Sequence, residues 1–194
     1  EWLEVHNHPK EESMGSRKVP FGRTLYIDKA DFREEANKKY KRLVTGKRVR
    51  LRGAYVIEAD EAIKDSAGNI IEVRARIIEG TLGKDPADGV KPKGVIHWVS
   101  ATNNLDCEVR LYNRLFTDEA PDAGGKNFLD VINPDSLEIL QGCKAEASLA
   151  SAQVGNSYQF ERQGYFVADR HEHSADKPVF NRSVTLRDTW ATKA

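Results

Sequence analysis

Two stretches concentrate the side chains able to do specific chemistry. The first, SYQFERQGYF at residues 157–166, sets Gln159, Glu161, Arg162 and Gln163 among four aromatic residues, Tyr158, Phe160, Tyr165 and Phe166. A Gln amide both donates and accepts, and a guanidinium is a fork of donors, so the pair can bond the edge of a nucleic-acid base while rings stack on splayed single-stranded bases. Strand alternation sends Tyr158 and Phe160 to one side and Gln159 with Glu161 to the other. Arg162 then falls with the aromatics unless a bulge near Gln163–Gly164 redirects it. A solvated polar strand face gives the same pattern, so both readings stand at this point.

The second stretch, KKYKRLVTGKRVRLR at residues 38–52, holds eight basic residues and no acidic one. Alternation puts Arg48, Arg50 and Arg52 on the polar side of a strand, away from Val49 and Leu51. With Lys38, Lys39, Lys41 and Arg42 just before them, they make a local basic surface suited to phosphate or nucleic acid. A capped helix followed by a solvated strand is the bland alternative. A third group, Asp169, His171, Glu172, His173 and Asp176, with His6 and His8 near the start, has alternate histidines of the kind that ligate metals. Both groups lie in turn-like segments without a third well-spaced ligand, and solvated turns are the reading adopted.

The rest of the composition limits the function classes. Thirty basic residues balance thirty acidic ones, so no global field draws this chain to polyanions and any such site is local. P-loop, GxSxG, HExxH and dinucleotide-loop patterns are missing, and no catalytic site or cofactor is expected in this segment. Cys107 and Cys143 lack CxxC spacing and read as buried thiols of a reducing compartment. There is no apolar run of about 18 residues and no signal-peptide pattern, which predicts a cytoplasmic protein without membrane association. A chain opening at Glu1, with Met14 as its one methionine, reads as a piece of a longer polypeptide.

The elements that must carry these residues follow from periodicity. Residues 1–20 read as an extended, loop-like entry and 23–27 as a short strand. A helix is predicted over 30–46, with Asp31 and Glu34 as a capping box, Phe32, Ala36, Tyr40 and Leu43 on one face, and Gly46 at the end. Residues 47–77 read as a hairpin turning at DSAGN, with Ile71, Val73, Ala75 and Ile77 buried on the return arm. The Gly- and Pro-rich 80–94 forms a loop or domain boundary. Strands follow at 95–101, 107–116 and 135–140, with a helical turn near 128–134 and a short helix near 148–155. Residues 157–169 then pair with 177–190 across the polar turn 170–176. Many short strands and few helices predict an all-β chain built as small antiparallel β-barrels.

Seven ordered blocks, NHPKEESMGSRKVPFG, YIDKADFREEANKKYKRLVTGKRVRLRGAYVI, LGKDPADGVKPKGVIHWVSA, VRLYNRLF, NPDSLEI, YQFERQGYF and KPVFNRSVTLRDTW, together resemble the C-terminal anticodon-binding region of the glutaminyl-tRNA synthetase family. The resemblance implies two small β-barrels, over residues 1–94 and 95–194 with strands that can be exchanged, gripping the anticodon loop of glutamine tRNA. It further implies an upstream catalytic domain using ATP and Mg2+, and a monomer. By the same resemblance Lys41 and Arg42 serve the third anticodon base, Arg50 the first, and Gln159 and Arg162 the middle one. Glu161 orients Arg162. The alternatives are the anticodon region of an archaeal or eukaryotic-type glutamyl-tRNA synthetase, a ribosomal-RNA-binding β-barrel, or a protein-interaction β-barrel.

Overall fold

The computed structural model describes residues 1–186, so the predicted pairing arm at 187–190 lies outside the described residues. The chain divides into two compact units, Glu1–Asn104 and Leu105–Ala194.

In the first unit, residues expected to form a loop make a hairpin. Strand β1 (Trp2–His6) pairs antiparallel with β2 (Ser16–Pro20), and Leu3 faces Val19 across it. Both are buried, which anchors a ribbon otherwise too polar to read as strands. A short β3 (Leu25–Tyr26) comes next.

The helix predicted over 30–46 is not formed. Lys29–Asp31 makes one 3-10 turn capped by Asp28, and the chain then runs through β4 (Phe32–Arg33), turns, and β5 (Leu43–Val44), which pairs parallel to β4. Phe32 and Leu43 are buried as expected, but as ladder partners. The groups meant to cap and line a helix have long-range partners that override local propensity. Asp31 takes the Nε–H of Arg42 at 3.0 Å, and the Tyr40 hydroxyl donates to the Ala30 carbonyl at 2.8 Å.

Strand β6 (Arg48–Leu51) leads through a turn at Gly53 into a long ribbon, β7 (Val56–Lys64) and β8 (Ile70–Ile77). The Asp65 carboxylate accepts from the backbone of Ala67 and Asn69 to close the turn at DSAGN. The parallel addition of β9 (Val95–Ile96) to β6 gives the order β8-β7-β6-β9, and β10 (Val99–Ser100) pairs with β3. The predicted burial of the return arm fails: Ile71 is 66% and Ile77 44% exposed. β8 is the sheet edge, and its register against β7 shifts twice, so most of it is not covered by the core. Charge guards that edge, with Arg74 paired to Glu61 and Glu72 and Arg76 to Glu58 and Asp60. Val49, Leu51 and Ile96 are fully buried, and Phe21 meets the Trp98 ring edge-on at 5.2 Å.

The second unit is one five-stranded sheet ordered β12-β11-β15-β14-β13, from β11 (Asn104–Tyr112), β12 (Leu137–Glu146), β13 (Ser157–Phe160), β14 (Gly164–Ala168) and β15 (Val179–Val184). The helical turn forms at Phe128–Val131 and the short helix as a 3-10 turn at Ala147–Ser151. Residues 157–168 fold on themselves as the β13–β14 hairpin, and only β14 pairs with β15 across the polar turn. Phe160 stacks on Phe166 at 4.3 Å and meets Phe180 at 5.3 Å, so Tyr158, Phe160 and Phe166 of the opening motif join the core while Tyr165 is exposed.

The all-β class is as predicted. The closed-barrel detail is not seen: among the described residues the ladders form open sheets of two to five strands.

Replacing Leu51 with Ala should cost about 2–5 kcal/mol by loss of apolar burial and creation of a cavity. Urea unfolding should show a lower midpoint with an unchanged slope.

Candidate nucleic-acid interface

Lys41, Arg42 and Arg50 lie in the first unit, and Gln159, Glu161 and Arg162 in the second. Each cluster is built by different means.

In the first unit the loop of residues 34–42, not a helix end, brings the cations to β6. A Cβ on Gly94 would collide with the Lys41 carbonyl oxygen, so only glycine lets the loop settle there. The Gly94 carbonyl accepts from the Arg50 backbone N–H at 3.0 Å, which ties Lys41 to the strand of Arg50 through one residue. Lys41 is exposed. Arg42 is braced by Asp31, whose side chain is 4% exposed, and by the Lys41 carbonyl at 2.8 Å on Nη1. Those two bonds use Nε and Nη1. Arg33 lies over the Tyr40 ring at 4.6 Å and steadies the same loop.

Alternation puts Arg48 and Arg50 on the half-buried polar side of β6, as expected. Their guanidinium groups are already occupied. Arg48 pairs with Glu58 at 2.8 Å and Asp88 at 2.7 Å, and its pKa is raised by hydrogen bonds to those two carboxylates, Glu58 first. Arg50 donates from Nη1 to the carbonyls of Thr81 (2.8 Å) and Ala54 (3.3 Å), and from Nη2 to that of Lys84, with Asp85 at 3.5 Å. Arg50 therefore lines an open cleft with Gly53, Leu82, Gly83, Lys84 and Asp85. Thr81, fully buried, fixes the cleft wall by accepting from the Val56 N–H and donating to the Ile78 carbonyl. Sequence reasoning missed Gly94 and Thr81; the glycine of GVKPKG was the one signal available.

In the second unit Gln159 is exposed on edge strand β13, opposite Tyr165, while Tyr158 and Phe160 turn inward. Arg162 lies between the two strands, in a tight turn at 161–163 rather than at a bulge. Its φ is 67°, the one positive value on a non-glycine among the described residues, and the Gln163 N–H donates to the Phe160 carbonyl at 2.9 Å. Gly164 follows with φ 148° and the Val184 carbonyl 2.5 Å from any Cβ, so the turn is pinched against β15. A left-handed Arg is strained, and such strain clusters at sites of function.

The Asp–His turn is committed to structure. Asp169 accepts from Asn181 at 2.6 Å and from the backbone N–H groups of His171 and Glu172, which with Asn181 foremost hold its carboxyl down to about 2. Arg110 bonds Glu108 at 2.6 Å and Glu172 at 2.7 Å, and Glu108 also takes a bond from Gln141. The His173 ring meets Phe180 at 5.3 Å. Among the described residues no cluster of His, Cys, Asp and Glu is arranged to hold a metal.

The class these features define is borne out by comparison: residues 1–78 and again 95–169 match the description "tRNA synthetases class I (E and Q), anti-codon binding domain", and the chain belongs to this family. It is 57% identical over 97% of its length to the glutamine–tRNA ligase of Ectopseudomonas mendocina (strain ymp). It is 58% identical over 98% to those of Shigella boydii serotype 4 (strain Sb227) and Escherichia coli (strain K12 / DH10B). The chain spans about a third of the length of these relatives, 34% in each case.

Two outcomes are expected from the strained turn and the depressed carboxyl. Arg162→Gly should leave stability unchanged or raise it by up to about 1 kcal/mol, while Gly164→Ala should lower it by at least about 1 kcal/mol, both read by thermal melts. Because the folded pKa of Asp169 lies below its unfolded value, its contribution is full above about pH 4 and fades as pH falls toward about 2. Asp169→Asn should flatten the urea midpoint against pH over that window.

Proposed function

We propose that this chain is the anticodon-recognition region of a glutamine–tRNA ligase. In this reading residues 1–94 and 95–194 are the two anticodon-binding domains, supported by the family matches over 1–78 and 95–169. Gln159 and Arg162 read the middle base of the glutamine anticodon, Lys41 and Arg42 the third, and Arg50 the first. The observation that carries this is the left-handed backbone at Arg162, in the tight turn that follows an exposed Gln159. An unpaired base offers donors and acceptors together, which an amide can match, while Arg adds donors and charge for the adjacent phosphate. Glu161 orients Arg162, since a carboxylate turned toward phosphate would be repelled.

Arg42 presents a guanidinium braced by Asp31 and the Lys41 carbonyl. Arg50 is held by three carbonyls, and its longest contact, Asp85 at 3.5 Å, is the one a base edge displaces. The relatives favour the glutamine enzyme over a glutamyl-tRNA synthetase, a ribosomal-RNA-binding protein or a protein-interaction barrel. The intact protein then performs ATP- and Mg2+-dependent aminoacylation in an upstream catalytic domain, as a monomer in the cytoplasm. No helix among the described residues is long and apolar enough to cross a membrane.

The test is titration of the chain with an anticodon stem-loop carrying the glutamine triplet and with one altered at the middle base, at two salt concentrations. Specific reading predicts a penalty of about 1–3 kcal/mol for the changed base. Arg162→Ala should shrink that penalty, and Lys41→Ala should weaken both ligands and lower the salt slope by about 1. Equal binding of the two stem-loops would refute the proposal.

A further inference from the structure

Two thiols in the second unit play no part in the RNA reading. Cys107 lies on β11 and Cys143 on β12, neighbouring strands of one sheet, and both are free. Their register is set by the contacts on either side. Lys144 pairs with Asp106, Gln141 donates to Glu108 at 2.7 Å, and the Asn113 N–H donates to the Ser136 carbonyl at 2.8 Å. Rising numbers on one strand meet falling numbers on the other, so the strands are antiparallel, and Asp106 opposite Lys144 sets Cys107 opposite Cys143. The step from that pair to Glu108 with Gln141 drops one residue, which Gly142, at φ 65°, absorbs as a bulge.

Facing agrees with this register. Cys107, Val109 and Ala145 are buried in the core of the unit, and Cys143 and Leu140 pack against the same cluster, whereas Asp106, Glu108, Gln141 and Lys144 form polar pairs with one another. The two sulfurs thus sit on one face at directly opposed positions. Opposed residues of an antiparallel ladder have Cα atoms about 4.5–5.5 Å apart, inside the roughly 4.4–6.8 Å that a disulfide spans.

We propose that Cys107 and Cys143 are an oxidation site that forms a cross-strand disulfide, using a low-molecular-weight disulfide as oxidant. The Cys143 thiolate attacks one sulfur of the oxidant, expelling one thiolate and leaving a mixed disulfide. The Cys107 thiolate then attacks the Cys143 sulfur and expels the second. The protein loses two protons and two electrons, and the oxidant is reduced to two thiols. Cys143 leads because it is half-buried, whereas Cys107 is 5% exposed and burial pushes its thiol up to about 12. Burial raises the Cys143 thiol as well, so the reaction is slow near neutral pH and accelerates as the thiolate fraction grows. The product ties edge strand β12 to β11 and closes the long segment between them.

The test incubates the chain with oxidised glutathione under native conditions and follows intact mass and thiols titrated after denaturation. The expected result is a monomer lighter by about 2 Da with both thiols lost, formed about tenfold faster per pH unit between pH 7 and 9. C107S should instead accumulate the glutathione adduct, and C143S should react far more slowly than C107S. Wild-type protein that stops at the adduct, or that links two chains, would overturn the proposal, as would equal rates for the two variants.

Discussion

Strand β6 divides its residues between two duties that alternation keeps apart. Val49 and Leu51 are fully buried and hold the core of the first unit, while Arg48 and Arg50 point the other way and fasten a distant loop. Arg48 holds Asp88, and Arg50 holds the carbonyls of Thr81 and Lys84, so the Gly- and Pro-rich loop after β8 is tied at two points to the central strand. Through its own backbone Arg50 meets Gly94, and through Gly94 the loop bearing Lys41 is seated. The proposed base-reading surface of this unit depends on one four-residue strand keeping its two faces distinct.

The second unit reaches a comparable end by strain. A hairpin that placed Arg162 by alternation alone would bury its charge among Phe160, Phe166 and Phe180. The strand instead ends at Phe160 and the next begins at Gly164, so Arg162 lies in a left-handed turn, with Gly164 pinched against the Val184 carbonyl. The conformational cost at Arg162 is offset by the stacked aromatics on either side of the turn.

The charge count misleads in one respect. Arg48, Arg74, Arg76 and Arg110 are all engaged by carboxylates within their own unit. Arg110 in particular sits in a half-buried network with Glu108, Glu172 and Asp169 that fixes the polar turn before β15. Removing one partner from such a largely buried pair leaves an unpaired charge, so Arg48 and Arg110 are better read as scaffold than as RNA contacts.

Residue types and short-range alternation by themselves determined the all-β class, the polar side of β6, the inward aromatics of the YQF stretch and, through seven ordered blocks, the family. Only the tertiary structure decided that residues 30–46 are not a helix. Periodicity at 32, 36, 40 and 43 satisfies a helix, but the bonds from Arg42 to Asp31 and from Tyr40 to Ala30 join residues ten or eleven apart, and no local rule contains them. It also decided that β8 is an exposed edge, because burial depends on which strand has a neighbour, and that Arg162 takes a left-handed backbone, in a turn where Gly164 is pressed against Val184 from twenty residues away. Local sequence sets what each face of a strand prefers; contacts between distant segments set which faces are covered.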